Sequence, residues 1–150
     1  MYALFLVHFV ATIFMLGLIW FVQIVHYPSL MFIGHEAFTH YETMHIQETT
    51  LLVALPMLVE LITAFLLVWK TVPHVSQRLL WINCGLLIII WLSSFCLQVP
   101  MHIQLASGFD STVHYYLVCS NWIRTVLWSV SSCLLTAALY YVLNKLPQPD

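Results

Sequence analysis

Apolar residues fall along this chain in four long stretches, parted by shorter segments where polar residues gather. The stretches are Ala3–Val22, Thr50–Trp69, Leu79–Leu97 and Thr125–Leu143. Each comes close to the roughly 20 residues that an α-helix needs to cross the hydrocarbon of a bilayer. The few polar residues inside and beside them recur at three- and four-residue spacing, which puts them on one helix face. The short links make successive helices neighbours. The pattern therefore predicts an all-α, antiparallel four-helix transmembrane bundle, with residues 1–150 forming a single integral membrane domain. No strong helix breaker occurs between His35 and Thr50, or between Ser111 and Arg124. Helices two and four are thus expected to extend beyond the membrane on the outer side and to build a polar cap there. Gly108 suits the turn before helix four, and Asp110 or Ser111 its N-cap. Residues Leu146 to Asp150 read as a frayed tail.

Composition points the same way. Hydrophobic residues make up 62% of the chain and charged residues only 7%, too few to cover a soluble domain of this size. A net charge of −2 gives no reason to expect a nucleic-acid partner. The first stretch lacks a basic flank and is followed by a second span, so it reads as a retained helix and not as a signal peptide. Lys70 and Arg78 bracket the link between spans two and three, and Lys145 follows span four. The positive-inside rule then places both termini in the cytoplasm of a bacterial inner membrane, with the cap facing outward.

Candidate chemistry gathers in the cap. Of eight histidines, His26, His35, His40, His45, His102 and His114 fall on the outer side. His26, His45, His102 and His114 come from four different helices at comparable heights. On helix one, His8, Thr12, Ile19, Val22 and His26 share a stripe, with Gln23 beside it. On helix two the stripe is Tyr41, His45, Thr49, Pro56, Glu60 and Thr63, with Glu48 one turn from His45. Gln98 and His102 align on helix three, and His114, Asn121, Thr125, Trp128 and Ser132 on helix four. Polar groups facing lipid are costly, so all four stripes are expected to point inward. Converging imidazoles beside amides and carboxylates suit a transition metal ion. The candidate ligands are His26, His45, His102 and His114, supported by Gln23, Tyr41, Glu48, Gln98, Asn121 and Arg124. A bis-histidine haem between His26 and His102, or between His45 and His114, ranks below a bare ion, because haem needs more interior room. Pro28 and Pro100 are expected to end or bend their helices and free backbone carbonyls. The similarity of the two hairpins that they mark is short, which leaves a degenerate internal repeat as one reading and a chance likeness as the other.

Other polar residues in the spans need partners. Arg124 is expected to pair with Glu48, as a lock on the bundle or as an anion site. Glu60 and His8 are expected to bond to each other in mid-membrane, with Asn83 in reach, as interhelical glue or as a step in a proton path. Cys96 and Cys119 match in height and could form a disulfide, as Cys84 and Cys133 match deeper in the bundle. The alternative is four cysteines that serve only packing. No Gly-rich phosphate loop and no GxSxG occurs, and His45-Ile46-Gln47-Glu48 does not make an HExxH zinc-protease helix.

Gln23-x-x-His26-Tyr27-Pro28, Phe38-x-x-Tyr41-x-x-x-His45, Pro56-Met57-Leu58-x-Glu60, Gln98-Val99-Pro100-x-His102, Gly108-Phe109-Asp110 and Asn121-Trp122-x-Arg124-Thr125-x-x-Trp128 span most of the chain. Together they resemble a group of uncharacterised small bacterial four-span membrane proteins. The Asn121-x-x-Arg124-Thr125 stretch is also similar to membrane proteins of the anthrone-oxygenase-like class. The first resemblance implies the fold and marks positions; it implies no activity. Two readings stay open. One is a membrane metalloprotein that handles a metal or performs redox chemistry on a lipid-soluble substrate. The other is a non-catalytic module, a homo-oligomer or a partner membrane subunit of a larger complex, whose polar network is structural.

Overall fold

A computed structural model of the protein describes residues 1–145. The tail beyond them, read above as frayed, lies outside the described residues. Four long helices run antiparallel: α1 Tyr2–Phe32, α2 His35–Val68, α3 Gln77–Leu105 and α4 Ser111–Leu143. Each is long and apolar enough to cross a membrane, and the chain is a multi-pass membrane protein. Each helix packs on its neighbours in sequence, and α4 closes the ring against α1. The bundle is apolar on the outside. Val10, Phe14, Leu51, Ile62, Ile89 and Val126 are exposed, while His8, Gln23, Glu60, Asn83, Gln98, Asn121 and Arg124 are buried. That inversion is what lipid as a solvent requires, because polar groups must find partners inside the protein.

All four helices, and not only α2 and α4, continue past their apolar runs. Pro28 and Pro100 do not end α1 and α3. Each helix widens into a π-helical turn just before its proline, at Val22–His26 and at Ser94–Gln98, and then resumes. Proline lacks an N–H, and its ring crowds the carbonyl four residues earlier. Those carbonyls belong to Ile24 and Cys96, and both sit inside the widened turns, which make the room needed. The two breaks hold the same position relative to their prolines, running from six to two residues before each. Beyond the breaks α1 tightens into a 3-10 turn at Leu30–Phe32 before the link to α2. Asp110 caps α4, its carboxylate accepting from the N–H groups of Thr112 at 2.7 Å and Val113 at 3.0 Å. Gly108, in the preceding turn, has φ of 146°, which only glycine adopts without strain.

The apolar interior comes in two parts. The larger runs through the spans and includes Phe5, Met15, Met57, Leu67, Leu87, Ile90, Trp128 and Leu135. The smaller lies at the cap end and consists of Tyr27, Leu30, Phe38, Leu105 and Leu117. Between them lies a layer of buried polar side chains from all four helices. At the cap end this polar layer is roofed by Leu30, Phe38, Leu105 and Leu117, none of which has any exposed surface.

Candidate functional site: a roofed polar layer beside an apolar cavity

Arg124 on α4 sits at the centre of the layer and is 7% exposed. Its Nε donates to Asn121 Oδ1 at 2.9 Å, and Nη2 donates to the same oxygen. Nη2 also donates to the Tyr27 hydroxyl at 3.1 Å, and Nη1 reaches Ser94 Oγ at 3.4 Å. Asn121 is aimed by its own donation to Gln23 Oε1 at 2.9 Å. Gln23 in turn donates to the Val118 carbonyl at 3.2 Å and accepts from Thr125 Oγ1 at 3.4 Å. On the α3 side, Gln98 donates to Ser120 at 3.0 Å and accepts from Ser93 at 3.1 Å. The π-turns matter here: Gln23 lies in the first, and Ser94 and Gln98 in the second.

Tyr27 carries the network onward. Its hydroxyl is 3.0 Å from His102 Nε2, and His102 Nδ1 is 2.5 Å from Glu42 Oε1. One arrangement of protons satisfies the whole row. Arg124 donates to the tyrosine oxygen, the tyrosine O–H donates to His102 Nε2, and His102 Nδ1–H donates to Glu42. A buried guanidinium and a fully buried carboxylate are thus joined through a phenol and an imidazole, each of which can pass a proton. The second carboxylate oxygen, Glu42 Oε2, is buried with no hydrogen-bond partner.

Two further imidazoles stand next to this row. His26 and His45 face each other with their Nε2 atoms 3.4 Å apart and their ring centroids 4.5 Å apart. His45 Nδ1 is held by Thr49 Oγ1 at 2.9 Å, and the His102 ring centroid lies 5.3 Å from that of His45. Both rings cannot be protonated at that separation without strong repulsion. Tyr41 lies parallel to His45, with centroids 6.3 Å apart.

Below the imidazoles is a cavity of about 270 Å³. Its walls are mostly apolar, with Met15, Ile19, Val53, Ala54, Trp91 and Trp128 among them. Its polar end is formed by His26, His45, His102, Tyr27 and Arg124. The cavity exists because α2 stands off from the bundle. Between Glu42 and Met57 no residue of α2 is buried, whereas from Met57 onward buried positions recur at helical spacing. Pro56, inside α2, marks the change. The exposed rim residues are Thr50 on α2 and Phe95, Val99 and Ile103 on α3. They put the mouth between these two helices, at the side of the bundle and not at the roof.

Several expected partnerships change. His114 is buried, but its Nε2 donates to the Tyr27 backbone carbonyl at 2.8 Å and does not join the other imidazoles. His102 has both ring nitrogens engaged. The four-imidazole ligand set therefore does not form. Among the described residues no three His, Cys, Asp or Glu side chains are grouped to hold a metal ion. The histidine pairs weighed for haem each include one of these engaged rings. Glu48 is exposed and does not meet Arg124, whose partners are Tyr27, Asn121 and Ser94. Reach decides this, since Glu48 lies on the outward face of α2. His8 and Glu60 do not bond through their side chains. The His8 ring bonds Thr63 Oγ1 and Asn83 Oδ1, both at 2.8 Å, and Glu60 accepts from Trp128 Nε1 at 3.1 Å. Asn83 continues to Ser131 at 2.6 Å. All four cysteines are free, with Cys96, Cys119 and Cys133 exposed and Cys84 buried, so the Cys96–Cys119 disulfide is absent.

Glu42 and Tyr27 escaped the sequence reading as site residues. The signal for Glu42 was its place three residues before His45, which puts the two on neighbouring parts of one face. Tyr27 follows His26 directly, so helical geometry turns it about 100° away from that ring. Only the packing of α1 against α3 and α4 showed which of the two meets Arg124.

The arrangement defines a four-helix membrane protein with a buried polar layer that opens onto a largely apolar cavity at the side of the bundle. No family model matches the chain, and no curated protein or solved structure matches it.

Proposed function

We propose that this protein binds a lipid-soluble molecule at the polar layer and exchanges a proton with it. The cavity carries this reading. It is apolar along its walls, polar at one end and open at the side of the bundle between α2 and α3, where a surrounding bilayer would meet it. At about 270 Å³ it lies just under the range of about 300–1,000 Å³ usual for whole small-molecule sites. It therefore suits the oxygen-bearing head of an amphipathic molecule whose tail leaves through the mouth between α2 and α3. Arg124 and Tyr27 would hold that oxygen, and the Tyr27–His102–Glu42 row would take or supply the proton. Redox chemistry on such a head group would use the same acid–base row. The orientation that the basic residues favour, with both termini inside a bacterial cell membrane, would place the site in the outer leaflet.

The test is co-purification. Protein isolated in a mild detergent should carry a defined apolar compound, detectable by mass spectrometry of its organic extract. Ala54→Trp, which fills the cavity, should lose that compound and keep the fold. The same set of bound lipids in both proteins would sink the proposal.

A structural role is the second reading, favoured by one observation. Arg124, Asn121, Gln23 and Gln98 all spend their side-chain groups on protein partners. The unpartnered Glu42 oxygen and the facing histidines are what such a role leaves unexplained.

A further inference from the structure

We propose that His26 and His45 form a two-histidine site for a late first-row divalent metal ion, zinc-like in its preferences, at the polar end of the cavity. The proposal goes beyond the lipid-soluble ligand and does not depend on it.

The first support is distance. Two imidazole nitrogens bound to one tetrahedral ion at about 2.0–2.1 Å lie about 3.3 Å apart. The two Nε2 atoms are 3.4 Å apart. That is longer than the 2.7–3.2 Å or so of an ordinary nitrogen-donated hydrogen bond, so the pair is poorly explained as one ring bonding the other.

The second support is orientation. A ligating histidine commonly has its far nitrogen fixed by a hydrogen bond, which sets the ring angle and the tautomer. His45 Nδ1 is fixed in this way by Thr49 Oγ1 at 2.9 Å. Donation from Nδ1–H to Thr49 leaves the Nε2 lone pair directed at His26.

The third support is charge. Glu42, one turn before His45 on α2, is fully buried, and its Oε2 has no partner. A divalent ion at the histidine pair, about one helical turn along α2 from this carboxylate, would add positive charge on the side of the protein where the orphaned oxygen lies, without being ligated by it. With only two histidines from the protein, the remaining coordination positions face the cavity, where water or a ligand oxygen can fill them. Imidazole donors favour zinc, copper, nickel or cobalt over magnesium and calcium, which prefer oxygen.

The full-length protein in detergent micelles, stripped with chelator and titrated with cobalt(II), should bind one equivalent. The ion should show the visible absorption of a tetrahedral site, displaced by zinc(II). His26→Gln and His45→Gln, which keep much of the side-chain volume, should each abolish it. Glu42→Gln should weaken it by about tenfold. His35→Gln and His40→Gln, at exposed positions on the same end of the protein, should leave it unchanged. A readout free of any folding defect comes from the unmutated protein with nitrogen-labelled histidine: zinc(II) should move two Nε2 resonances and no others. Absence of one-to-one cobalt binding, binding that survives the double His26→Gln/His45→Gln change, or zinc-induced shifts at other histidines would each overturn the proposal. Ala54→Trp separates the two ideas, since it should expel the apolar compound while cobalt binding persists.

Discussion

At the scale of single residues, the central fact is that Arg124 and Glu42 are both buried and do not touch. Tyr27 and His102 stand between them, so the stability of each charge depends on the intact row. Removing one member of such a buried arrangement leaves the other charge uncompensated and costs about 3–5 kcal/mol for a direct pair. Arg124→Met should therefore lower resistance to unfolding by denaturing detergent by about 3 kcal/mol. Adding Glu42→Gln to it should cost much less than Glu42→Gln alone. A coupling above about 1 kcal/mol in that double-mutant cycle, between residues that share no contact, is the expected result. Simple additivity would show that the row does not transmit charge. Tyr27→Phe deletes a single hydroxyl but leaves both Arg124 Nη2 and His102 Nε2 short of a partner. It should cost about 1–3 kcal/mol, more than the usual loss of one hydrogen bond. The residues of this layer were only partly legible in the sequence. Gln23, His26, His45, Gln98, His102, Asn121 and Arg124 could be picked out because polar side chains beside a span need internal partners. Which of them pair depended on side-chain reach, and so the sequence pointed to Glu48 and passed over Glu42.

At the scale of elements, the prolines and their π-turns decide where the polar side chains point. A π-turn adds one residue to a helix, which rotates everything beyond it by about 100° relative to an unbroken helix. In α3 the turn at Ser94–Gln98 comes before His102, so it helps set the direction in which His102 meets Glu42 and Tyr27. Replacing proline by alanine inside an ordinary helix gains about 3 kcal/mol. Pro100→Ala should not show that gain, because closing the turn would swing His102 out of its row. Unfolding in graded denaturing detergent checks this, and a stabilisation of about 3 kcal/mol would mean that the turn serves no contact in the layer. The sequence placed these breaks through its two prolines but not their form, since a proline can end, kink or widen a helix. The surrounding packing selected the third outcome. The stand-off of α2 between Glu42 and Met57 was likewise hidden. Its residues are apolar enough to read as one more buried or lipid-facing face, and the gap appears only against α1 and α3.

At the scale of the whole molecule, the roof and the mouth control access. Leu30, Phe38, Leu105 and Leu117 close the layer towards the cap end, and the cavity opens sideways between α2 and α3. A membrane-dissolved thiol reagent should therefore react with a cysteine placed at Thr50, at the mouth, faster than with one placed at Leu117, buried in the roof itself. An impermeant aqueous reagent should label neither, and rapid aqueous labelling of the Thr50→Cys protein would show that the mouth faces water. The sequence by itself determined the class: four apolar runs of spanning length, too little charge for a soluble surface, and one polar stripe per helix that had to face inward. These follow from local composition and helical period, which act along the chain and need no knowledge of neighbours. Only the tertiary structure decided that His114 leaves the imidazole group for a backbone carbonyl, that Tyr27 and Glu42 complete the row from Arg124, and that His26 meets His45 above an apolar cavity. Those contacts join residues 19 to 97 positions apart. They depend on the rotation and spacing of packed helices, and a stretch of sequence read alone does not carry those quantities.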